Sequence, residues 1–485
     1  MTISGALSNA LTGLTAAARS TEVVSSNIAN AMTDGYGRRQ LDLSARTVGG
    51  NGTGVWIDGV SRLVDEVVIA DRRLADASVG NSQTRAQFLK KIEAAIGSPE
   101  DPGSLSDRLA KLESALIQAS SRPDSETRLQ NVLQSAKSLV GHINGISNRI
   151  QTLRMESDQE IGLQVSRLND TLQRIEQLNT DIVAQRGAGH DANGLLDQRQ
   201  QLVDSISSII PLRQIPRENG KIALITPGGA ILLDGPAAEL GFTPVGVIVP
   251  EMTLASGGLF GLTINGRPVD TSGQYSPIKG GSLAALFETR DNISVTAQEN
   301  LDAFARDLVE RFQNPSVDAT LAPGMAGLFT DAGAAFVPAN EIALSSRLSV
   351  NTAVDPAAGG QLWRLRDGIG AAAAGDVGNA SLLQKLSTAL SFAQVPVSGA
   401  FGPAARSASA LGGALLSLVA GERQSADSQT AYTSTRLSAL QSQELQNGVD
   451  TDQELQQLLL VEQAYAANAR VMQTADDLIQ TLLGI

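Results

Sequence analysis

Hydrophobic positions recur at helical spacing at both ends of the chain. Residues 448–485 contain no proline, and their apolar side chains follow alternating steps of three and four; residues 3–28 do the same. A stripe with this spacing lines one side of a helix and needs an apolar partner. We therefore predict that the two ends pair as a coiled coil. The terminal stripes are Ile3, Leu7, Ala10, Leu14, Ala17, Val24 and Ile28, and Leu458, Val461, Tyr465, Met472, Ala475, Ile479 and Leu482.

The terminal stripes have two interpretations, which are compatible with each other. They can form the core of an intramolecular helix pair, or they can carry the packing between subunits of an assembly. Single helices of this kind are marginal in water, so we expect the termini to be poorly ordered in the monomer and to fold on assembly. Thr451 and Glu454 stand in S/T-x-x-E spacing, which predicts a capping box at the start of the last helix.

Between the ends, most of the chain has helical periodicity interrupted by glycine and proline. Residues 41–58 lack that periodicity and are predicted to be irregular and extended. The spacing then predicts helices over 63–96, 104–120, 124–186, with a possible break near Gly141–Gly145, and 195–210.

Helical periodicity disappears over residues 211–282, which hold eight of the seventeen prolines. The runs 222–225 and 231–233 predict strands, and Asn265-Gly266 predicts a type I′ hairpin turn. Helix is predicted again from Leu283 to just before Pro315 and over about 404–447. Residues 316–403 are predicted to be partly irregular or extended, including a candidate extended segment at 342–354.

These patterns predict a mainly α fold with inserted β structure, in three units. Residues 1–40 with 448–485 would form a terminal coiled-coil domain. Residues 41–210 with 283–447 would form a bundle of long helices, and residues 211–282 a small β-rich domain inserted into it.

Composition narrows the classes of function. The chain of 485 residues is 42% hydrophobic but only 3% aromatic, which suits closely packed aliphatic helices. A net charge of −13 disfavours nucleic-acid and anionic-membrane partners. The absence of cysteine excludes disulfides, thiolate zinc sites and thiol nucleophiles. No apolar run reaches about 18 residues, so no membrane span is predicted.

Candidate chemistry is sparse. His142 and His190 lie in different predicted elements, and neither belongs to a metal-binding or catalytic spacing. The glycines of 368–373 do not follow a convincing buried strand, as a dinucleotide site requires. The acidic residues of 450–454 are better explained by helix capping than by calcium binding. The sequence therefore predicts no catalytic, metal or cofactor-binding residues, and no enzyme.

Two motifs stand at opposite ends of the chain: residues 25–40, SSNIANAMTDGYGRRQ, and residues 463–476 in the last predicted helix. The first resembles the signature that follows the first helix of the bacterial flagellar axial proteins, and the second resembles the closing helix of that family. The chain departs from the signature at Met32, at Asp34, where the family has proline, and at Gly37, where it has serine. The motif residues to which the family role is transferred are Asn27, Ile28, Ala29, Asn30, Gly35 and Tyr36.

Long helices directly after the signature make the chain most similar to the hook–filament junction members of the family. The resemblance implies a structural subunit that polymerises through its paired terminal helices. It also implies extracellular placement in the flagellum after type III export, without a cleaved signal peptide. The implied partners are other copies of the chain, the hook protein, the second junction protein and an export chaperone that binds the C-terminal helix.

Two alternatives remain open at this level. The chain could be a hook or distal rod subunit with an unusual helical insertion. It could instead be a secreted enzyme or adhesin that uses flagellar-type ends for export, with its activity in residues 211–403. A leader for a different export route is not indicated, because no lysine or arginine precedes Arg19.

Overall fold

Helices dominate the computed structural model, which describes residues 3–48, 51–273 and 275–483. The helices are α1 Ile3–Ala29, α2 Glu66–Ile96, α3 Leu105–Ser121, α4 Glu126–Gly187, α5 Asn193–Ser207, α6 Gly281–Glu288, α7 Ser294–Phe312, α8 Leu344–Arg347, α9 Arg364–Asp367, α10 Ser381–Ser391, α11 Ala408–Gln446 and α12 Thr451–Leu483. The strands are β1 Arg38–Val48, β2 Asn51–Leu63, β3 Arg213–Pro216, β4 Ile222–Ile225, β5 Ile231–Leu233, β6 Leu240–Gly241, β7 Thr263–Ile264, β8 Arg267–Pro268, β9 Phe329–Asp331 and β10 Leu348–Val350. The predicted mainly α fold with small β elements is confirmed.

Helix α4 is the spine of the middle of the molecule. It runs for 62 residues without the break considered at Gly141 and Gly145. Its first half belongs to one hydrophobic cluster with α2, α3, α7, α10 and α11, and its second half to another with α5, α6 and the strands β4–β6. Packing along the whole length offsets the cost of two glycines in a helix, which is about 1 kcal/mol each.

The predicted β segment contains two three-stranded antiparallel sheets, ordered β3-β4-β5 and β6-β7-β8. Asn265 and Gly266 both have positive φ, 51° and 73°, as a type I′ turn requires. Leu224, Leu232 and Leu262 are buried in one cluster with Leu168 of α4. The sheets therefore share a hydrophobic core with the helix, and the division of the chain into three units stays a prediction.

Residues 342–354 combine two conformations. They form the short helix α8 and then β10, which pairs antiparallel with β9. The buried carboxylate of Asp302 in α7 accepts hydrogen bonds from the backbone N–H groups of Ala343 and Ser345, both at 2.8 Å. Burial raises the pKa of Asp302 although these hydrogen bonds oppose the shift. The turn is thus fixed by a residue some 40 positions earlier, which local sequence patterns do not reveal.

Residues 41–48 and 51–58 are extended, as predicted, but the prediction that they are irregular is wrong. β1 and β2 form a long antiparallel hairpin, with register shifts between Asp42 and Leu43 and between Ala45 and Thr47. These irregularities break the alternation of apolar and polar positions that identifies a strand. The hairpin packs on α1 through a hydrogen bond from Val55 N–H to the Thr12 hydroxyl.

Two antiparallel helix pairs complete the architecture. In the α2–α11 pair, Ser82 hydrogen-bonds Thr433 at 3.0 Å, and Arg423 forms an ion pair with Glu93. The α1–α12 pair joins the two ends of the chain. The β2–α2 and α11–α12 connections both lie where the terminal pair meets the rest of the molecule. In the described part of the chain, no helix is long and apolar enough to cross a membrane.

Candidate functional site

The terminal helix pair is antiparallel and closely packed. Asn27 near the end of α1 contacts Glu454 near the start of α12, and Gly13 lies opposite Asn468. A Cβ atom at Gly13 would lie 2.7 Å from Asn468 Nδ2, so a larger side chain there would displace the Asn468 amide from its place against α1. Ala10 and Ala17 on the same stripe are buried. Small residues on α1 therefore set the spacing of the pair.

Most residues of the terminal stripes lie between the two helices. Ala10, Ala17 and Val24 of α1 and Val461 and Ala475 of α12 are buried. Tyr465 remains 50% exposed, and the Leu482 side chain lies outside the described part of the structure. The remaining stripe residues are half-buried: Ile3, Leu7, Leu14, Ile28, Leu458, Met472 and Ile479. Their contribution to packing between subunits stays a prediction.

Asn27 of the predicted motif is the centre of a hydrogen-bonded cluster. Its Oδ1 accepts from the Tyr36 hydroxyl and from Arg39 N–H, both at 2.9 Å. Its Nδ2 donates to Arg39 C=O at 2.9 Å and to Glu454 Oε2 at 3.0 Å. Glu454 Oε1 accepts from Arg38 Nε at 2.7 Å. We call Asn27, Tyr36, Arg38 and Glu454 the motif cluster; it fastens the start of α12 to α1 and β1.

The predicted capping box is wrong. Asp450 caps α12, because its Oδ1 accepts from the N–H groups of Asp452 and Gln453 at 2.9 and 3.2 Å. Glu454 is only 1% exposed and points into the motif cluster instead. Its partners come from residues more than 400 positions away, which outcompete the local backbone groups.

The rest of the motif shapes the turn after α1. Gly35 has φ of +75°, a left-handed conformation in which glycine is the least strained residue. The Asn30 amide donates to the Ser26 carbonyl at 2.9 Å, while Ile28 is half-buried and Ala29 is exposed. Of the departures from the family signature, Met32 is 97% exposed and so has no packing role within the chain.

Asp197 of α5 forms a second cluster, which connects the hairpin to the bundle. Its carboxylate accepts from Gly37 N–H at 3.1 Å, from Arg39 Nη2 at 3.2 Å and from Arg62 Nε at 2.6 Å. Arg62 Nη2 also donates to Gly35 C=O at 3.3 Å. Asp197 has no signal in the sequence, because its partners come from a distant stretch of chain with no fixed spacing to it.

The α11–α12 connection is held by a third set of charges. Arg72 of α2 lies 2.7 Å from Asp204 and 2.5 Å from Glu444 of α11. Burial lowers the pKa of the Arg72 guanidinium, but attraction to these two carboxylates outweighs burial and leaves that pKa raised. Asn447 Nδ2 donates to Asp65 Oδ2 at 3.3 Å, so the end of α11 is fastened beside the start of α2.

Helix α12 also carries a second stripe that faces solvent. Leu460, Val471 and Leu478 are 60%, 45% and 50% exposed. They belong to a set at alternating steps of four and three, which we call the outer stripe: Leu460, Ala464, Ala467, Val471, Thr474 and Leu478, all exposed. Contiguous exposed apolar side chains mark interaction surfaces, and this spacing suits another helix.

The described residues offer little for chemistry. No group of three or more histidine, cysteine, aspartate or glutamate side chains among them is arranged to hold a metal ion. His142 lies 3.2 Å from Ile96 C=O, and burial lowers its pKa. His190 is exposed on the loop after α4. The two histidines take part in neither the motif cluster nor the Asp197 cluster.

Comparison with known proteins gives matches at both ends and in the middle. Residues 89–322 match the family model described as flagellar hook-associated protein FlgK helical domain. Residues 7–36 match flagella basal body rod protein, and residues 445–485 match flagellar basal body rod FlgEFG protein C-terminal. The terminal matches include Asn27, Tyr36 and Glu454 of the motif cluster and the whole outer stripe, and the central match includes all of α4.

Individual relatives cover the chain to different extents. Flagellar hook-associated protein 1 of Bacillus subtilis is 25% identical over 98% of this chain and 97% of its own length. That of Escherichia coli is 25% identical over 100% of both. That of Salmonella typhimurium is 28% identical over 49% of this chain and 44% of its own. The solved flagellar hook junction protein FlgK from Burkholderia pseudomallei gives a TM-score of 0.42 at 20% identity, covering 54% of this chain and 46% of that one.

Proposed function

The chain belongs to the family of flagellar hook-associated protein 1, and from this premise we propose that it forms the junction between the flagellar hook and the filament. The family is one of structural flagellar proteins that assemble with other flagellar components. In our proposal the terminal helix pair polymerises with copies of itself and with neighbouring axial proteins. The helical bundle and the β sheets form the outer part of each subunit.

The observation that carries this proposal is the outer stripe of α12. The helix already uses one face to pack against α1, yet a second face presents exposed leucine and valine at coiled-coil spacing. Burying a leucine or valine side chain contributes roughly 1.5–3 kcal/mol. A ring or helical array of subunits would bury this stripe in every copy. Head-to-tail contacts between identical subunits produce such arrays.

The motif cluster and the Asp197 cluster support the same proposal. A subunit under mechanical load needs its polymerising helices held in a fixed direction relative to its outer part. Arg38 and Arg39 are adjacent in β1, and one binds Glu454 of α12 while the other binds Asp197 of α5. The base of the hairpin therefore joins the terminal pair to the bundle.

The partners follow from the position in the axial structure. We propose that the chain contacts the hook protein on one side and the second junction protein, the third hook-associated protein, on the other. Before export, the exposed outer stripe would be covered by an export chaperone bound to α12. The subunit would then reach the extracellular flagellum through the type III apparatus without a cleaved signal peptide.

We propose no catalytic role. The alternative of a secreted enzyme or adhesin would place its activity in residues 211–403. Two polar networks there are buried between elements. Asp302 accepts from the backbone of the turn at Ala343, and Arg311 donates to the carbonyls of Ala389 and Phe392 at 2.8 and 2.6 Å. These groups are occupied in positioning the backbone. The junction role is therefore the proposal that accounts for the outer stripe of α12, which has no such internal use.

Deletion of the gene tests the proposed position. We expect cells without the protein to make hooks of normal length that lack filaments, and to release monomeric flagellin into the medium. Electron microscopy of the cells and an immunoblot of the medium measure both, with a plasmid copy of the gene as control. Absence of hooks would instead indicate a rod or hook subunit, and normal filaments would refute a structural role in the axis.

A further inference from the structure

A basic cavity lies between the base of the hairpin, α2, α5 and the strands β3 and β4. Its volume is about 480 Å³. Glu66 is the one carboxylate among the residues that line it, against six basic side chains: Arg62, Arg73, Arg186, Arg199, Arg217 and Lys221. In a chain with a net charge of −13, composition does not account for such a concentration of positive charge.

Half of these basic groups form no ion pair within the described part of the chain. Three of the six basic groups form ion pairs around the cavity: Arg62 with Asp197, Arg73 with Asp204 and Arg217 with Asp234. Arg186, Arg199 and Lys221 form no salt bridge with a described residue. Arg186 and Lys221 are exposed at the rim, where water solvates them. Arg199 differs from these two groups, because its guanidinium is buried and water does not solvate its charge in the same way.

Arg199 is only 7% exposed and forms the floor of the cavity. Its Nη1 donates to Asn179 Oδ1 at 2.9 Å and to Gly220 C=O at 2.7 Å, and both acceptors are neutral. Burial, followed by repulsion from Arg186, lowers the pKa of Arg199 to about 10. The guanidinium is therefore still charged at neutral pH. Buried charges in proteins are normally paired, since an unpaired one is costly to desolvate.

Neighbouring residues hold the Arg199 side chain in place. Asn179 is held by two hydrogen bonds to the backbone of Ile222, at 3.0 and 3.2 Å. Gly220 has φ of +80°, and a Cβ atom there would collide with the Arg186 guanidinium. The missing side chain thus lets Arg186 lie over the loop whose carbonyl binds Arg199. Two guanidinium groups without carboxylate partners converge on one opening.

We propose that this cavity binds an oxyanion between Arg186, Arg199 and Lys221. Guanidinium groups present parallel N–H donors that match two oxygens of a phosphate or a carboxylate. The oxyanion can come from solution, as inorganic phosphate does. It can also be the carboxylate of an acidic side chain on a second copy of the chain, a source that rests on the proposed polymerisation. The 50 acidic residues of each copy make that source abundant.

Calorimetric titration of the full-length protein with inorganic phosphate tests the site. We expect saturable binding and a melting temperature that rises with phosphate concentration. The rim variant Arg186→Gln/Lys221→Gln should bind at least about tenfold more weakly, because it loses two charge-assisted contacts. Arg174→Gln, on an exposed arginine of the same helix α4, should bind like the wild type. Absence of phosphate binding in the wild type, or equal affinity in the rim variant, would overturn the site.

A measurement of self-association distinguishes the two sources of the oxyanion. If a second copy supplies the oxyanion, phosphate should weaken self-association of the wild type, and the rim variant should associate less. If the oxyanion comes from solution, phosphate should bind without changing self-association. Both results support the site, and titration of protein below its association concentration measures phosphate binding independently of polymerisation. A failure of the proposed assembly would therefore leave the phosphate result interpretable.

Discussion

Replacement of Leu460 and Val471 by glutamate should abolish assembly of the junction while leaving the folded subunit intact. Both side chains are exposed on the outer stripe, at 60% and 45%, so the monomer loses little internal packing. In an assembly that buries the stripe, each change removes apolar contact and places a charge in an apolar interface. A loss of at least about 3 kcal/mol per contact corresponds to a weakening of more than about 100-fold.

The measurement is filament formation in cells that express the double variant in place of the wild type. The matched control is Leu163→Glu, which changes a leucine that is 67% exposed on α4, away from the terminal pair. Circular dichroism and the melting temperature should be unchanged in both proteins. Normal filaments on cells with the double variant would show that the outer stripe is not an assembly surface.

Replacement of Glu454 by alanine should release α12 from the base of the hairpin. The carboxylate is buried and binds Asn27 Nδ2 at 3.0 Å and Arg38 Nε at 2.7 Å. Hydrogen bonds to charged groups contribute about 1.5–3 kcal/mol each. Because the Arg38 side chain is 27% exposed, water replaces part of its loss, and we expect a net cost of about 2–3 kcal/mol.

Hydrogen exchange of the backbone amides measures this release. Amides of α12 should exchange about 30- to 150-fold faster in Glu454→Ala, the factor that corresponds to about 2–3 kcal/mol of easier opening. Amides of α4 should keep their rates. Glu462→Ala, on an exposed glutamate of the same helix, is the control and should exchange like the wild type. Equal rates in α12 of all three proteins would mean that the motif cluster does not hold the terminal pair.

Local patterns in the sequence predicted the parts of the fold that depend on nearby residues. The periodicity of α1, α4 and α12 follows from spacing along one helix, and the Asn265-Gly266 turn follows from positive φ angles. Each terminal stripe needs an apolar partner, and the stripe at the other end of the chain matches it. Each of these features depends on the spacing of residues within a single element.

The remaining features depend on residues that are far apart in the sequence. Glu454 fitted a capping spacing, yet its carboxylate is used by Asn27 and Arg38 across the fold. Asp197 and Arg199 lie on a polar helix, and only the folded chain brings Arg62 of the hairpin to Asp197 and the Gly220 carbonyl to Arg199. The sequence does not indicate the hairpin, because the register shifts interrupt the alternation of apolar and polar positions that identifies a strand. One sequence carries no signal that pairs these residues.

Protection of a thiol at position 460 tests the central claim most directly, namely that the terminal pair exposes a stripe that assembly buries. The chain has no cysteine, so Leu460→Cys introduces a single reactive group, and Leu163→Cys on α4 is the control. We predict that a maleimide labels both thiols in the isolated subunit, but only position 163 when the subunit is built into filament-bearing flagella. Equal labelling of position 460 in the isolated and assembled protein would contradict the account.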